Sequence, residues 1–195
     1  MGQDEREPVY IVTDGEFDGP TPSQHSMLAF ASVAVTMSRG IVGEFETVLE
    51  RLEGATQDPG TMNFWKENPE AYAASTLDPQ PAAKEMPRFV DWVRSMPGAA
   101  IFVSHPLALD GLWIDFYLRR FTGDRLLEGH WKQNRLFRDA PLCLVSYWSG
   151  RTGLSLLERG KYPAEWLGNQ PHTHRAIDDA RGYAHLLLHL MKMEA

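Results

Sequence analysis

The order in which extended and helical patterns succeed one another constrains this fold most. Residues 8–13 (Pro-Val-Tyr-Ile-Val-Thr) form a short apolar, β-branched run ending at Asp14-Gly15-Glu16, the pattern of a buried strand. Residues 27–36 and 41–50 flank Ser38-Arg39-Gly40, which reads as a hairpin turn and makes these two strands antiparallel neighbours. Helical patterns then follow. One short helix is expected from Asn63 to Tyr72, and a second opens at Pro81 and runs to about Met96 with Phe89, Val90 and Val93 inward. Residues 99–103 read as another buried strand, and Leu109 to Phe121 as a helix whose packing stripe is Leu109, Leu112, Trp113 and Phe116. Residues 122–140 are polar and irregular. Leu142 to Tyr147 reads as a last strand or a helix start, 160–171 as a loop, and His174 to about Met193 as a closing helix. Strands first, then strand and helix in alternation, predict an α/β fold in which helices flank a mixed five-stranded sheet, one domain over 1–195.

A chain of 195 residues with 43% hydrophobic content can bury one sizeable core. It contains no run of eighteen apolar residues, and it opens on the polar MGQDEREPVY, so neither a membrane span nor a secretory signal is expected. Gly2 is not followed by the Ser or Thr of a myristoylation signal. The lone Cys143 sits in an apolar run and reads as a buried, reduced thiol, which suits a cytoplasmic protein. The net charge of −7 is unevenly spread: 1–118 carry 7 basic and 18 acidic residues, whereas 119–161 carry 9 basic and 4 acidic. That polarity allows a basic lip beside an acidic centre, as a phosphate-rich partner would need.

Four carboxylates and a histidine stand out by order. Asp14 and Glu16 project to the same side if extended geometry continues through Gly15. Helical phase separates Asp110 from Asp115. With Leu109 at zero, Asp110 falls near 100° beside Tyr117, at the edge of the packed face, and Asp115 falls near 240° on the solvated side. Phase likewise turns Asp179 toward the apolar arc of the last helix and leaves Asp178, His185 and His189 on its polar face. His174 lies at or before the first turn, able to fold over a site. Hard oxygen ligands from several elements are what two divalent cations, about 3.5–4 Å apart, require to drive phosphodiester displacement. The histidine adds a proton acceptor that titrates near neutrality. A zinc alternative built on His172, His174 and Cys143 is weak, because the histidines are only i,i+2 and nothing brings the cysteine near. Ser149-Gly150 and Ser155 lack a nucleophile-elbow pattern.

Asp14-x-Glu16, Ser104-His105-Pro106-Leu107-Ala108-Leu109-Asp110 and His174-Arg175-Ala176-Ile177-Asp178-Asp179-Ala180 resemble, in order and spacing, the three motifs of the DEDDh 3′-to-5′ exonucleases. These enzymes include the oligoribonuclease, ribonuclease T and polymerase-proofreading types. Thr61-Met62-Asn63-Phe64-Trp65 is similar to the branch typified by the phage DexA-type exonuclease and a mycobacterial-type exoribonuclease. The resemblance implies a ribonuclease H-like sheet and a site of Asp14, Glu16, Asp110, His174 and Asp179. The four carboxylates would hold two Mg²⁺ or Mn²⁺ ions, with Asp14 bridging both, and His174 would be the general base. Its substrates would be 3′ ends of single-stranded RNA or short oligonucleotides, released as nucleoside 5′-monophosphates. Two departures stand out: Pro106 occupies the place of an asparagine common in the family, and Asp18 follows Glu16 closely enough to be an extra weak ligand or a solvated side chain.

Base stacking would fall to Phe17, Met27, Leu28 and the Phe64-Trp65 pair, with His105 also against the substrate. Single-stranded DNA is the competing substrate, since discrimination rests on contacts to the 2′-hydroxyl. A non-catalytic binding module on the same scaffold is the alternative of a different class. By resemblance alone, a homodimer is expected.

Overall fold

The computed structural model describes residues 7–129 and 131–194, so the reading of the first six residues lies outside the described residues. Five strands, β1 (Val9–Phe17), β2 (Met27–Thr36), β3 (Gly40–Val48), β4 (Ala100–Ser104) and β5 (Leu142–Cys143), form one mixed sheet in the order β3-β2-β1-β4-β5. The central β1 pairs antiparallel with β2 and parallel with β4, and β2 pairs antiparallel with β3, as the turn at Ser38-Arg39-Gly40 predicts. The α/β sheet flanked by helices is therefore the one the sequence pattern predicts.

Helices cover both faces of the sheet. On one side α3 (Ala82–Arg94) and α4 (Leu107–Phe121) bury Met86, Phe89, Val90, Trp113 and Tyr117 against Val9, Ile11, Phe30 and Phe102. On the other, α5 (Leu144–Thr152) and α6 (Ala176–Lys192) pack Trp148, Ile177, Ala180, Ala184 and Leu187 on Val12, Ala31, Val33 and Val103. Strand β2 is buried at every position, which explains why MLAFASVAVT reads as continuous apolar sequence without alternation. None of the described helices is long and apolar enough to cross a membrane.

Several boundaries differ for physical reasons. Strand β1 continues past Thr13 because its backbone pairing with β2 runs on through Asp14, Gly15 and Glu16, and main-chain bonds need no apolar side chain. The helix expected over 63–72 is two, α1 (Pro59–Glu67) and α2 (Pro69–Ala74), divided where Pro69 lacks an N–H. Asp58 caps α1 by accepting the Thr61 amide at 2.8 Å. The short β5 passes directly into α5, so 142–147 is both strand and helix start. Cys143 is half-buried rather than buried. In α4 the packing stripe is turned from the one expected. Trp113, Ile114, Tyr117 and Leu118 are buried, but Leu109 and Leu112 are 42% and 54% exposed. The large Trp113 and Tyr117 rings set the phase, and Asp110 is carried fully inward.

Candidate active site

The site forms where β1 ends. Asp14 and Glu16 lie opposite Ala31 and Ala29 of β2, so the cross-strand neighbours of both carboxylates are single methyl groups that leave the space above them open. Alanines at 176, 180 and 184 let α6 pack close over the same strands and bring Asp179, in its first turn, onto the pair. Carboxylate oxygens of Asp14, Glu16 and Asp179 lie within 4.8 Å of one another. Asp110 enters from the first turn of α4, only 2% exposed, with an Oδ2 that has no hydrogen-bond partner among the described residues. Three elements remote in sequence thus contribute four carboxylates.

Electrostatics follow from that crowding. Burial drives Asp14 well above the usual carboxylate range, and the charges of Asp110, Glu16 and Asp179 push the same way. Glu16 is pushed up to about 9, chiefly by burial and then by Asp179 and Asp110. Asp110 is raised by burial, offset in part by backbone amides including those of Gly15 and His105. Such a cluster keeps protons in the absence of a countercharge, and hard cations are the natural countercharge for oxygen donors.

His174 sits at the rim with a left-handed backbone (φ 57°), which folds its ring back over the end of α6. The ring meets Phe64 edge-on at 5.0 Å and His172 at 4.6 Å. Burial lowers its pKa, and His172 does so further, against the opposing pull of Asp179. His174 is thereby neutral at neutral pH, the form able to accept a proton. His172 Nδ1 lies 2.9 Å from Asp179 Oδ1, and the Thr173 amide donates to the same oxygen at 3.3 Å.

The residues expected to stack bases divide sharply. Met27 and Leu28 are 0% and 1% exposed and belong to the cores, so neither offers a face to a substrate; this corrects the expectation from their place at the start of β2. Trp65 is mostly core, being 2% exposed with Nε1 donating to the Phe17 carbonyl at 2.8 Å, and reaches the depression beside the carboxylates only along its lining. Phe64 beside it is open. With Phe17, Gly15, Glu16, Thr61 and Leu109 it lines a depression of about 310 Å³ next to the carboxylates. Phe17 keeps its place there, backed by a stack on Trp113 at 4.7 Å.

His105 does not line that depression. Its face stacks on Tyr183 at 4.3 Å, a 2.5 Å hydrogen bond joins its Nε2 to the Tyr162 hydroxyl, and burial lowers it to about 4. Asp18 is neither a ligand nor solvated: it is fully buried, accepting the Ser26 amide at 2.5 Å and the Arg51 guanidinium at 2.9 Å. His185 and His189, expected in solvent, are half-buried, with His189 stacked at 4.4 Å on Trp166 of a 3-10 turn over Ala164–Leu167 and His185 packed under Gly168, the residue that ends that turn. Sequence reasoning missed Tyr162, Tyr183 and the contact of His172 with Asp179. Only Tyr183 left a signal, four residues after Asp179 and hence on the same helical face.

No family model matches the sequence, and no curated protein does. Solved structures do resemble the fold. The nuclease domain of 3′hExo, described as a DEDDh family member bound to rAMP, superposes with a TM-score of 0.68 at 9% identity, over 97% of this chain and 94% of that one. E. coli exonuclease I in complex with a dT13 oligonucleotide gives 0.69 at 12% identity, over 95% of this chain but 41% of its own. A 3′-exonuclease described in recognition of the histone mRNA stem-loop gives 0.64 at 7%, over 97% and 84%. At these identities the likeness is one of fold.

Proposed function

We propose that this chain is a metal-dependent 3′-to-5′ exonuclease of the DEDDh type that shortens single-stranded RNA or short oligonucleotides to nucleoside 5′-monophosphates. The observation that carries the reading is the convergence of Asp14, Glu16 and Asp179 oxygens within 4.8 Å, with buried Asp110 beside them and His174 at the rim. The likeness in fold to 3′-exonucleases supports it.

The residues fit Mg²⁺ or Mn²⁺: the donors are all hard oxygens, and Asp110 Oδ2 is buried without a partner among the described residues. Bound there, two such ions would supply Lewis-acid stabilisation of the charge that develops on the attacked phosphate. Asp14, Glu16 and Asp179 would hold one ion, with Asp14 and Asp110 turned to the other. His174, its pKa lowered by burial and held at the rim against Phe64 and His172, takes the proton of the attacking water. Phe17, Phe64 and Leu109 hold the terminal nucleoside in the depression beside the carboxylates, which orients its phosphodiester toward them. His105 acts from behind: tied to Tyr162 and Tyr183, it fixes the strand-to-helix junction that carries Asp110.

The test is a time course on 5′-labelled single-stranded RNA and matched DNA in Mn²⁺, in Mg²⁺ and in EDTA. A metal-dependent ladder shortening from the 3′ end is expected, faster on RNA. Faster shortening of DNA would move the substrate to single-stranded DNA. Binding without shortening of either strand would refute the enzyme and favour a binding module. His174→Ala should slow turnover by about 10²–10⁴-fold with Mn²⁺ affinity retained.

A further inference from the structure

We propose that His172, His174 and Asp179 form a second metal site, selective for a late first-row divalent cation such as Zn²⁺, whose occupancy silences the exonuclease centre. One nitrogen from each histidine and one Asp179 oxygen lie within 4.8 Å of one another. His172 is the residue that makes this a different site, since it lies outside the Asp14, Glu16 and Asp179 group.

The geometry is held by the chain. His172 and His174 flank Thr173, whose amide bonds to Asp179 Oδ1 at 3.3 Å and whose hydroxyl donates to Asp178 Oδ2 at 2.8 Å. The Arg175 amide closes on the same Thr173 hydroxyl at 3.3 Å. The residue between the histidines is thus pinned to the first turn of α6, and the left-handed His174 turns its ring back to stand 4.6 Å from that of His172. Asp179 is buried, whereas the His172 side chain is 56% exposed, so an ion can enter from solvent and still find a fixed carboxylate.

Donor chemistry decides which ion. Two imidazole nitrogens and one carboxylate oxygen suit tetrahedral Zn²⁺ with water in the fourth position. Mg²⁺ prefers oxygen and an octahedral shell, so it discriminates against this trio and toward the carboxylates of β1. Zinc at the trio would replace the direct His172–Asp179 contact, occupy the His174 nitrogen needed for water, and draw Asp179 from the catalytic group. The silencing rests on the exonuclease reading; the binding does not.

Zn²⁺ is titrated calorimetrically into the full chain, His172→Ala and Asp14→Ala in excess Mg²⁺, with Co²⁺ absorption as a second readout. Full chain and Asp14→Ala should bind one Zn²⁺ tightly and develop tetrahedral Co²⁺ bands, and His172→Ala should bind at least about tenfold more weakly without them. In Mg²⁺-supported shortening assays, the half-inhibiting Zn²⁺ concentration, taken relative to each protein's own rate, should rise by the same factor in His172→Ala. Equal Zn²⁺ affinity with and without His172, or affinity lost with Asp14 instead, overturns the site. Zinc binding through His172 in a chain that shortens no strand sinks the exonuclease and leaves the metal site standing.

Discussion

Asp14 is the residue on which opposite demands meet. Opposite Ala31 and beneath α6, it has a pKa raised well above the usual carboxylate range, first by burial and then by the charges of Asp110, Glu16 and Asp179, so ionising it there is costly. Replacing it with asparagine keeps its shape and removes one charge from the group. We therefore expect Asp14→Asn to abolish shortening of RNA yet leave the metal-free protein at least as stable above neutral pH, its melting temperature rising by about 2–4 °C for each kcal/mol of repulsion relieved. A fall in melting temperature in EDTA would show that the aspartate is held by attraction instead. At this scale the sequence was informative where helical phase applied: it separates buried Asp179 from half-buried Asp178. It misleads where the covering group is distant. His189 reads as solvated because the Trp166 ring that stacks on it sits in a turn with no periodicity of its own.

At the scale of elements, the segment between α5 and α6 matters most, because it carries Tyr162, His172 and His174 with little regular structure. It is tied to the β4–α4 junction described above by the bond of Tyr162 with His105, and Tyr162 also packs edge-on against Trp148 at 5.3 Å. Loss of that hydroxyl in Tyr162→Phe should cost about 1 kcal/mol, a drop of about 2–4 °C in melting temperature. The larger effect should be on catalysis: kcat falls by about tenfold or more with KM little changed, and amides of 160–174 exchange faster, since the base is no longer held in register. An unchanged kcat alongside the lower melting temperature would reduce the bond to a structural one. None of this was legible beforehand, since 160–171 shows only Gly and Pro punctuation. The sheet and its order of elements were legible because apolar runs and turn residues are local signals. The phase of α4 was not, because the stripe assigned to Leu109 and Leu112 is equally apolar, and the burial of Trp113, stacked on Phe17, and of Tyr117 chooses between them.

The charge polarity of the whole molecule divides in space as it does not in sequence. Arg135 and Arg138 lie with Arg94 around a cleft of about 740 Å³ at the start of β4, the end of the sheet away from the carboxylates, whereas Arg159 lies close enough to His105 to lower its pKa. These basic residues of 119–161 therefore stand at two different ends of the sheet rather than in one lip. Arg159→Ala should accordingly weaken single-stranded RNA binding and reduce the slope of log affinity against log salt by about 0.7, the value of one phosphate contact on a single strand, and Arg138→Ala should leave that slope alone. Equal changes in both variants would mean the strand crosses the far end of the sheet. The acidic centre makes a second global demand. Unfolded carboxylates titrate near pH 4, whereas folded Glu16 titrates at about 9, and Asp14 and Asp110 are raised as well. Between those limits the folded chain binds protons that the unfolded chain has lost, so these groups lower stability as pH rises from about 4 toward about 9. Divalent ions held as proposed would replace the protons and bind only the folded arrangement, so the stability they add would grow over the same range. Melting temperatures should therefore fall with pH in EDTA and hold nearly level in Mn²⁺, the two curves diverging from about pH 5 upward. A constant gap between them would mean that the carboxylates are already ionised in the metal-free fold, with cations from the chain itself as their countercharge.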